Sequence, residues 1–158
     1  MGLLWFRRSK AKEEVEHVAP APVPAAPPRP RVPLRVRGLL LLNLRPNDGV
    51  DKIETAPPLG RRDQVMAALQ NAVPGMRFDG DGRGELSEHD YRLMIDLGRG
   101  AVAHTAVVAA EGDAAVDLLR TIMERARWRA YVPKAGVFVE PDALHLFALT
   151  DELTTERP

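Results

Sequence analysis

The chain of 158 residues contains no cysteine. Disulfide bonds, thiolate metal ligands and cysteine nucleophiles are therefore excluded. Aromatic residues make up only 5% of the sequence, but the apolar fraction of 45% is ordinary for a soluble globular protein. We therefore expect a folded domain with an apolar core. The abundance of Ala, Arg, Val, Gly and Pro suggests a bacterial coding sequence.

Long apolar runs are also missing. The run of four leucines at residues 39–42 is far shorter than the ~18 residues that a membrane span needs. Residues 1–6 do not resemble a secretory signal, because their short apolar run precedes the positive charges instead of following them. We expect a cytoplasmic protein, with peripheral attachment at the inner membrane as a variant considered below.

Catalytic signatures are the third absence. The sequence has no Gly-x-Ser-x-Gly elbow, no Walker phosphate loop and no Gly-x-Gly-x-x-Gly dinucleotide fingerprint. Carboxylates are plentiful, but their spacing does not pair them across a cleft. We expect a protein that is not an enzyme, with no catalytic residue and no cofactor.

The net charge of zero conceals an uneven distribution. Residues 1–37 hold eight basic and three acidic side chains, a balance of +5, and residues 38–158 carry −5. A basic tail on an acidic body favours an anionic surface as a partner. A nucleic-acid-binding domain is more often basic on its folded body, so no nucleic acid is expected.

Proline divides the chain. Seven of the 14 prolines lie within residues 20–33, where each fixes φ and removes a hydrogen-bond donor. This composition predicts an extended, solvated spacer. We therefore predict a disordered apolar, basic and proline-rich leader over residues 1–33. A single α+β domain over residues 34–150 and a frayed tail over residues 151–158 complete the prediction.

Hydrophobic periodicity predicts the elements of the domain. A continuous apolar run predicts a central first strand over residues 35–44. Alternation predicts two strands over residues 91–97 and 102–108, joined by a tight hairpin at Gly98-Arg99-Gly100. Short closing strands are predicted over residues 128–132, 136–139 and 143–149.

Two helices are predicted between these strands. The first, over about residues 61–72, has an apolar face made of Val65, Ala68, Leu69 and Ala72. The second begins with Asp113 as its N-cap, and its predicted buried face consists of Val116, Leu119, Ile122, Met123 and Ala126. The order β-α-β-β-α-β predicts an antiparallel sheet with two helices on one face, a ferredoxin-like arrangement with extra C-terminal strands.

Residues 79–90 resemble a twelve-residue EF-hand calcium loop. The candidate ligands are Asp79, Asp81, Glu85 and Asp90. Arg83 occupies the fifth position, where a ligand is needed, and an alternating strand pattern follows the loop instead of a helix. We therefore expect a polar connection without a metal, and calcium binding at these four residues is the alternative.

The histidines do not indicate a second metal site. His89, His104 and His145 lie in the predicted domain, but no His-x-His or His-x₃-His pair occurs. A strand histidine with a backbone partner is the expected arrangement.

The first residues of the chain are candidates for membrane contact. Trp and Phe favour the membrane interface, and arginines interact with anionic headgroups at about 1 kcal/mol each. The residues concerned are Leu3, Leu4, Trp5, Phe6, Arg7 and Arg8. A weak, reversible anchor is one interpretation, and a terminus that contacts nothing or binds the domain's own surface is the other.

One stretch carries a loose resemblance. Trp128, Tyr131, Gly136 and Phe138 follow a helix that opens with Gly-Asp, and this ending is similar to that of small bacterial domains, some of them found among toxin–immunity genes. The resemblance implies a protein-binding role.

These observations favour a non-enzymatic protein-interaction domain, tethered to an anionic membrane surface by its N-terminal segment, with an unidentified protein as its partner. The first alternative is an immunity- or inhibitor-type protein that neutralises its partner through an acidic surface. The second is a calcium-binding domain that uses residues 79–90.

Overall fold

The computed structural model describes residues 34–148. Within these residues the fold is mixed α+β, with a large antiparallel sheet and three helices, the last of which includes residues 144–148. The elements, in chain order, are β1 Arg35–Leu42, β2 Gly60–Arg61, α1 Arg62–Ala72, β3 Arg77–Phe78, β4 Arg83–Ser87, β5 Arg92–Asp96, β6 Val102–Ala103, β7 Ala106–Glu111, α2 Asp113–Ala126, β8 Arg129–Val132 and β9 Val137–Val139. The predicted leader over residues 1–33 and the predicted tail over residues 151–158 lie outside the described residues.

Seven strands form the main sheet in the order β3-β4-β5-β7-β1-β8-β9, with every neighbouring pair antiparallel. Strands β2 and β6 pair separately. Strand β1 lies between β7 and β8, as its apolar run predicts. Leu39 and Leu41 enter the main core, and Leu42 is also fully buried.

Helix α2 supplies the apolar face that its periodicity predicts. Leu119, Ile122 and Met123 are at most 1% exposed, and full burial of such a side chain contributes about 1.5–3 kcal/mol. Ala126 is exposed and Ala115 is buried, so the face is rotated slightly from the predicted one.

The start of α2 also differs from the prediction. The N-cap is Gly112 instead of Asp113, and Asp113 is the first helical residue. Gly112 has a φ of 91°, which favours glycine, and Asp113 lies in the first turn, where the helix dipole favours an acidic side chain.

Helix α1 packs against the core through fewer residues than its pattern predicts. Val65 and Leu69 are buried in the same core cluster as α2, and Ala72 packs against the cluster. Ala68, which the pattern assigns to the apolar face, is exposed. The helix contacts α2 and strands β2 and β6.

Residues 79–90 are not a simple irregular connection. Strand β4 occupies their middle and pairs with β3 on one side and β5 on the other. Gly84 and Leu86 are buried while Glu85 and Ser87 are exposed, which is the alternation of a half-buried strand. The abundance of Gly and Asp conceals this period-2 pattern in the sequence.

The tight hairpin predicted at Gly98-Arg99-Gly100 is wrong. Strands β5 and β7 do pair, with Asp96 opposite Val107, but residues 97–105 connect them. Strand β6 forms within this connection and pairs with β2. The predicted strand over residues 102–108 is therefore interrupted at His104 and Thr105, and its inward residues begin at Ala103 and Ala106 instead of Val102.

The strand predicted over residues 143–149 is also wrong for its described part. Pro141–Ala143 form a 3₁₀ turn, and residues 144–148 are helical. Pro141 suits the first turn of a helix, because its missing N–H would have no partner there. Leu144 and Ala148 are both fully buried at a spacing of four residues, which is the helical period.

Candidate interaction surface

The main sheet has one face turned away from the apolar core. Residues of β7 and β5 that enter the core, such as Val108 and Ile95, alternate with residues that point the opposite way. We call this second surface the open face. The side chains that define it are Leu40, Arg83, Glu85, Arg92, Met94, Asp96, Val107, Ala109, Glu111, Tyr131 and Phe138.

Apolar side chains lie in the middle of the open face. Met94 and Val107 keep 40% and 45% of their surface exposed, whereas the adjacent Leu93 and Val108 are fully buried. Val107 is paired with Leu40 of β1, which is half-buried. Two central strands of the sheet therefore present aliphatic groups to the solvent.

Ion pairs border this apolar centre. Arg35 lies 3.0 Å from Glu111, Arg92 lies 2.8 Å from Glu85, and Arg83 lies 3.1 Å from Asp96. All six side chains are between 41% and 66% exposed, so each pair contributes at most about 1 kcal/mol. The pairs place charges of both signs around an apolar patch, which is the composition of a polar rim.

A shallow depression of about 140 Å³ lies beside Met94. Its lining includes Arg37 and Ala109, and a β-bulge between Val36 and Leu39 falls at the same level of the sheet. The bulge contains Gly38 with a φ of 67°, and a Cβ at this position would meet nothing within 4 Å. Ala109 contributes only a methyl group to the lining of the depression.

Aromatic residues close the far end of the open face. The rings of Tyr131 and Phe138 are 5.4 Å apart and tilted by 56°, a favourable arrangement for two aromatic side chains. Both are half-buried. The guanidinium of Arg129 lies 3.9 Å from the centroid of the Phe138 ring.

No family model, no curated protein and no solved structure matches the chain significantly.

The candidate calcium ligands are spread over different elements. Asp79 follows β3, Glu85 lies within β4, and Asp90 is exposed in the bend before β5. Glu85 and Asp81 are paired with arginines, namely Arg92 of β5 and Arg99, which lies 3.2 Å from Asp81.

Asp79 has a local structural role. Its Oδ1 accepts hydrogen bonds from the backbone N–H groups of Asp81 and Arg83, both at 2.9 Å. The bond from Arg83 is the largest cause that lowers the pKa of Asp79 below its ordinary value of 3.8, with a smaller lowering from Asp81. The carboxylate thereby organises the turn between β3 and β4.

The histidines are separated in the described part of the chain. His89 and His104 are exposed in connections, and His145 lies 3.6 Å from Asp117 of α2. Across residues 34–148, no three His, Asp or Glu side chains are grouped as a metal ion would require.

The membrane-contact candidates Leu3, Leu4, Trp5, Phe6, Arg7 and Arg8 fall outside the described residues. Among residues 34–148, no helix has the length and apolar character to cross a membrane.

The sequence contains an indication of the open face. Alternation along β5 and β7 assigns Met94 and Val107 to the outward-pointing positions, where polar residues are expected. Met94 stands between Arg92 and Asp96, and Val107 stands between Ala106 and Val108. An apolar residue at an outward-pointing position of a strand indicates an exposed apolar group. It becomes a surface only when the register places β5 beside β7.

Proposed function

We propose that residues 34–150 form a non-enzymatic protein-interaction domain that binds its partner through the open face. The observation that supports this most directly is the exposure of Met94 and Val107 at the centre of the sheet. Exposed apolar patches with polar rims often mark protein interaction sites. Covering the exposed parts of these two side chains would contribute roughly 1 kcal/mol each.

A ferredoxin-like core would explain why this face is available. We infer that β1, α1, β5, β7, α2 and β8 form the β-α-β-β-α-β unit, with β3, β4 and β9 as additional strands. The neighbour order β5-β7-β1-β8 supports this reading. If both helices cover the face that carries Leu39, Ile95 and Val108, the opposite face is left to a partner.

Charge favours a protein over nucleic acid as that partner. Residues 34–148 carry 15 Lys and Arg side chains against 16 Asp and Glu, a balance of −1. Arg83 and Arg92 of the open face are paired with carboxylates, and Arg35 is paired with Glu111 at its border. Nucleic-acid binding requires arginines and lysines that are available to phosphates.

The same balance gives little support to the inhibitor-type alternative. Its acidic surface depended on the −5 of residues 38–158, of which residues 149–158 contribute −2, and Arg35 and Arg37 of β1 offset two of the remaining three negative charges. Asp81 and Glu85 of the acidic stretch are paired with Arg99 and Arg92.

We further propose that residues 3–8 tether the domain to the inner face of an anionic membrane. The support is the sequence: an apolar cluster directly precedes four cations among residues 7–12. Co-sedimentation with anionic vesicles should be strong for the full chain and weak for a variant with Ser at residues 3–6. Equal sedimentation of both would refute the tether.

Photo-crosslinking tests the interaction surface. A photoreactive amino acid at position 107 should give a protein adduct in the cells of origin. The matched control is position 102, whose valine is 40% exposed but lies on β6, outside the open face. Equal adducts at both positions, or none at position 107, would contradict the proposal.

A further inference from the structure

We propose that the partner of the open face is the open face of a second copy, so that the chain forms a two-fold symmetric dimer. This inference rests on the proposed function and identifies the partner. It is carried by three properties of the open face: a protrusion and a depression of matching size, a matching order of charges, and a sufficient area.

Val107 and the depression next to Ala109 form the first matching pair. The two residues point the same way from β7, about 7 Å apart along the strand. Consider two copies whose open faces are opposed, with a two-fold axis in the plane between the sheets. The axis runs perpendicular to the strands and passes over β7 midway between Val107 and Ala109. It brings Val107 of each copy over Ala109 of the other.

The depression is large enough for this side chain. The depression offers about 140 Å³, several times the ~30 Å³ that one water molecule occupies, so the three side-chain carbons of Val107 can enter it. The bulge between Val36 and Leu39 lies at the same level of β1, and the missing side chain of Gly38 leaves open space there. Each copy therefore contributes one protrusion and one recess, as a self-complementary interface requires.

The charges on β4 follow the same symmetry. The register places Arg83 level with Asp96 and Val107, and Glu85 level with Met94 and Ala109. The axis that exchanges Val107 and Ala109 therefore also exchanges Arg83 and Glu85. Arg83 of one copy faces Glu85 of the other, and the second pair forms reciprocally.

The area of the face suits a reversible dimer. Six spacings of about 4.8 Å between the seven strands give a width of about 29 Å, and strands of five residues are about 17 Å long. The resulting ~500 Å² from each copy is an upper limit, because β3 and β9 have only two and three residues and Leu42, in the same phase as Leu40, is already buried. It lies at the low end of specific interfaces. Two sheets stacked with their strands roughly aligned are a common packing. We expect association in the micromolar range.

Sedimentation velocity of the full chain, over about 5 to 500 µM, tests the dimer. The parent should shift from monomer to dimer, and Val107→Arg should weaken association by at least about ten-fold, because it places a cation in an apolar contact. Val102→Arg, the matched control, should associate like the parent. Thermal unfolding by circular dichroism verifies that each variant is folded.

A charge exchange tests the axis independently of Val107. Arg83→Glu alone and Glu85→Arg alone should each weaken self-association, because like charges then face each other. An equimolar mixture of the two variants should form a heterodimer, because both cross-copy pairs are again of opposite sign. Native mass spectrometry distinguishes the heterodimer from each homodimer.

A parent that stays monomeric throughout, or a Val107→Arg variant that dimerises like the parent, would overturn the inference. Failure to form the mixed heterodimer would overturn the proposed axis. The wider proposal would survive a monomeric parent if position 107 still crosslinks to a different protein. If position 107 gives no adduct either, both proposals fail.

Discussion

The guanidinium of Arg129 lies 3.9 Å above the ring of Phe138 and joins two adjacent strands to a distant loop. Its Nη1 donates hydrogen bonds to the carbonyl oxygens of Asp48, at 2.7 Å, and Arg45, at 3.2 Å. Its Nη2 lies 3.2 Å from the carboxylate of Glu140. Only 13% of the side chain is exposed, so these contacts are weakly screened by solvent.

Arg129→Lys should therefore destabilise the domain by about 1–3 kcal/mol. Lysine keeps the charge but loses the planar fork and the stacking on Phe138, and it leaves at least one carbonyl oxygen without its charged donor. The matched control is Arg125→Lys at an exposed position of α2, which should change stability by less than about 0.5 kcal/mol. Urea denaturation compares the two, and equal midpoints would contradict the role of Arg129.

Leu119→Ala tests the packing of α2. Leu119 is fully buried in the core cluster, so its truncation should cost about 2–5 kcal/mol. Glu124→Ala, on the exposed side of the same helix, should cost less than about 0.5 kcal/mol. If chemical denaturation gives the two variants the same stability, α2 does not pack through Leu119.

Asp79 makes the stability of the β3–β4 turn dependent on pH. Its pKa in the folded state is lowered below 3.8 by the N–H of Arg83 and by smaller contributions, so the ionised form favours folding. This contribution is fully present above the unfolded pKa and is lost as the pH falls through the lowered folded value. A ¹³C NMR titration of the Asp79 carboxyl should give a midpoint below 3.8.

The Asp79→Asn variant provides the control, because it keeps an acceptor oxygen and removes the charge. The difference in unfolding free energy between parent and variant should be larger at pH 5 than at pH 2.5. A difference that stays constant or grows on acidification would show that the carboxylate does not stabilise the turn.

Alanine substitutions at two glycines distinguish the cost of backbone strain from the cost of steric overlap. Gly136 has a φ of 66°, and a Cβ there would meet nothing within 4 Å, so Gly136→Ala should cost only the ~1–2 kcal/mol of a left-handed residue. Gly112 has a φ of 91°, and its Cβ would lie 2.5 Å from the carbonyl oxygen of Asp90. Gly112→Ala should therefore be clearly the more destabilising of the two in thermal denaturation, and a smaller effect would mean that the start of α2 can shift freely.

The sequence by itself determined those elements in which buried residues recur at a regular spacing along one segment. The burial of Leu119, Ile122 and Met123 in α2 follows from their spacing, and the outward and inward phases of β5 follow from alternation between Met94 and Ile95. These patterns depend on residues that are close in sequence, so the amino-acid order is sufficient to predict them.

Tertiary structure decided which segments become neighbours. Residues 97–105 could have formed a tight hairpin by their glycines, but they extend into a longer connection in which Val102 and Ala103 pair with β2. Leu144 and Ala148 fit an alternating strand as well as a helix. Their spacing of four residues is a multiple of the strand period of two and is close to the helical period of 3.6, so both structures place them on one face. Contacts with the rest of the core select the helix over residues 144–148.

The candidate surface depends on tertiary structure for the same reason. Met94, Val107 and Leu40 are separated by up to 67 positions in the sequence, and only the register of β5, β7 and β1 brings them together. A local pattern reports which way a side chain points from its own strand. Its neighbours on that face are determined by long-range pairing, whose stability arises from the whole sheet and the core beneath it.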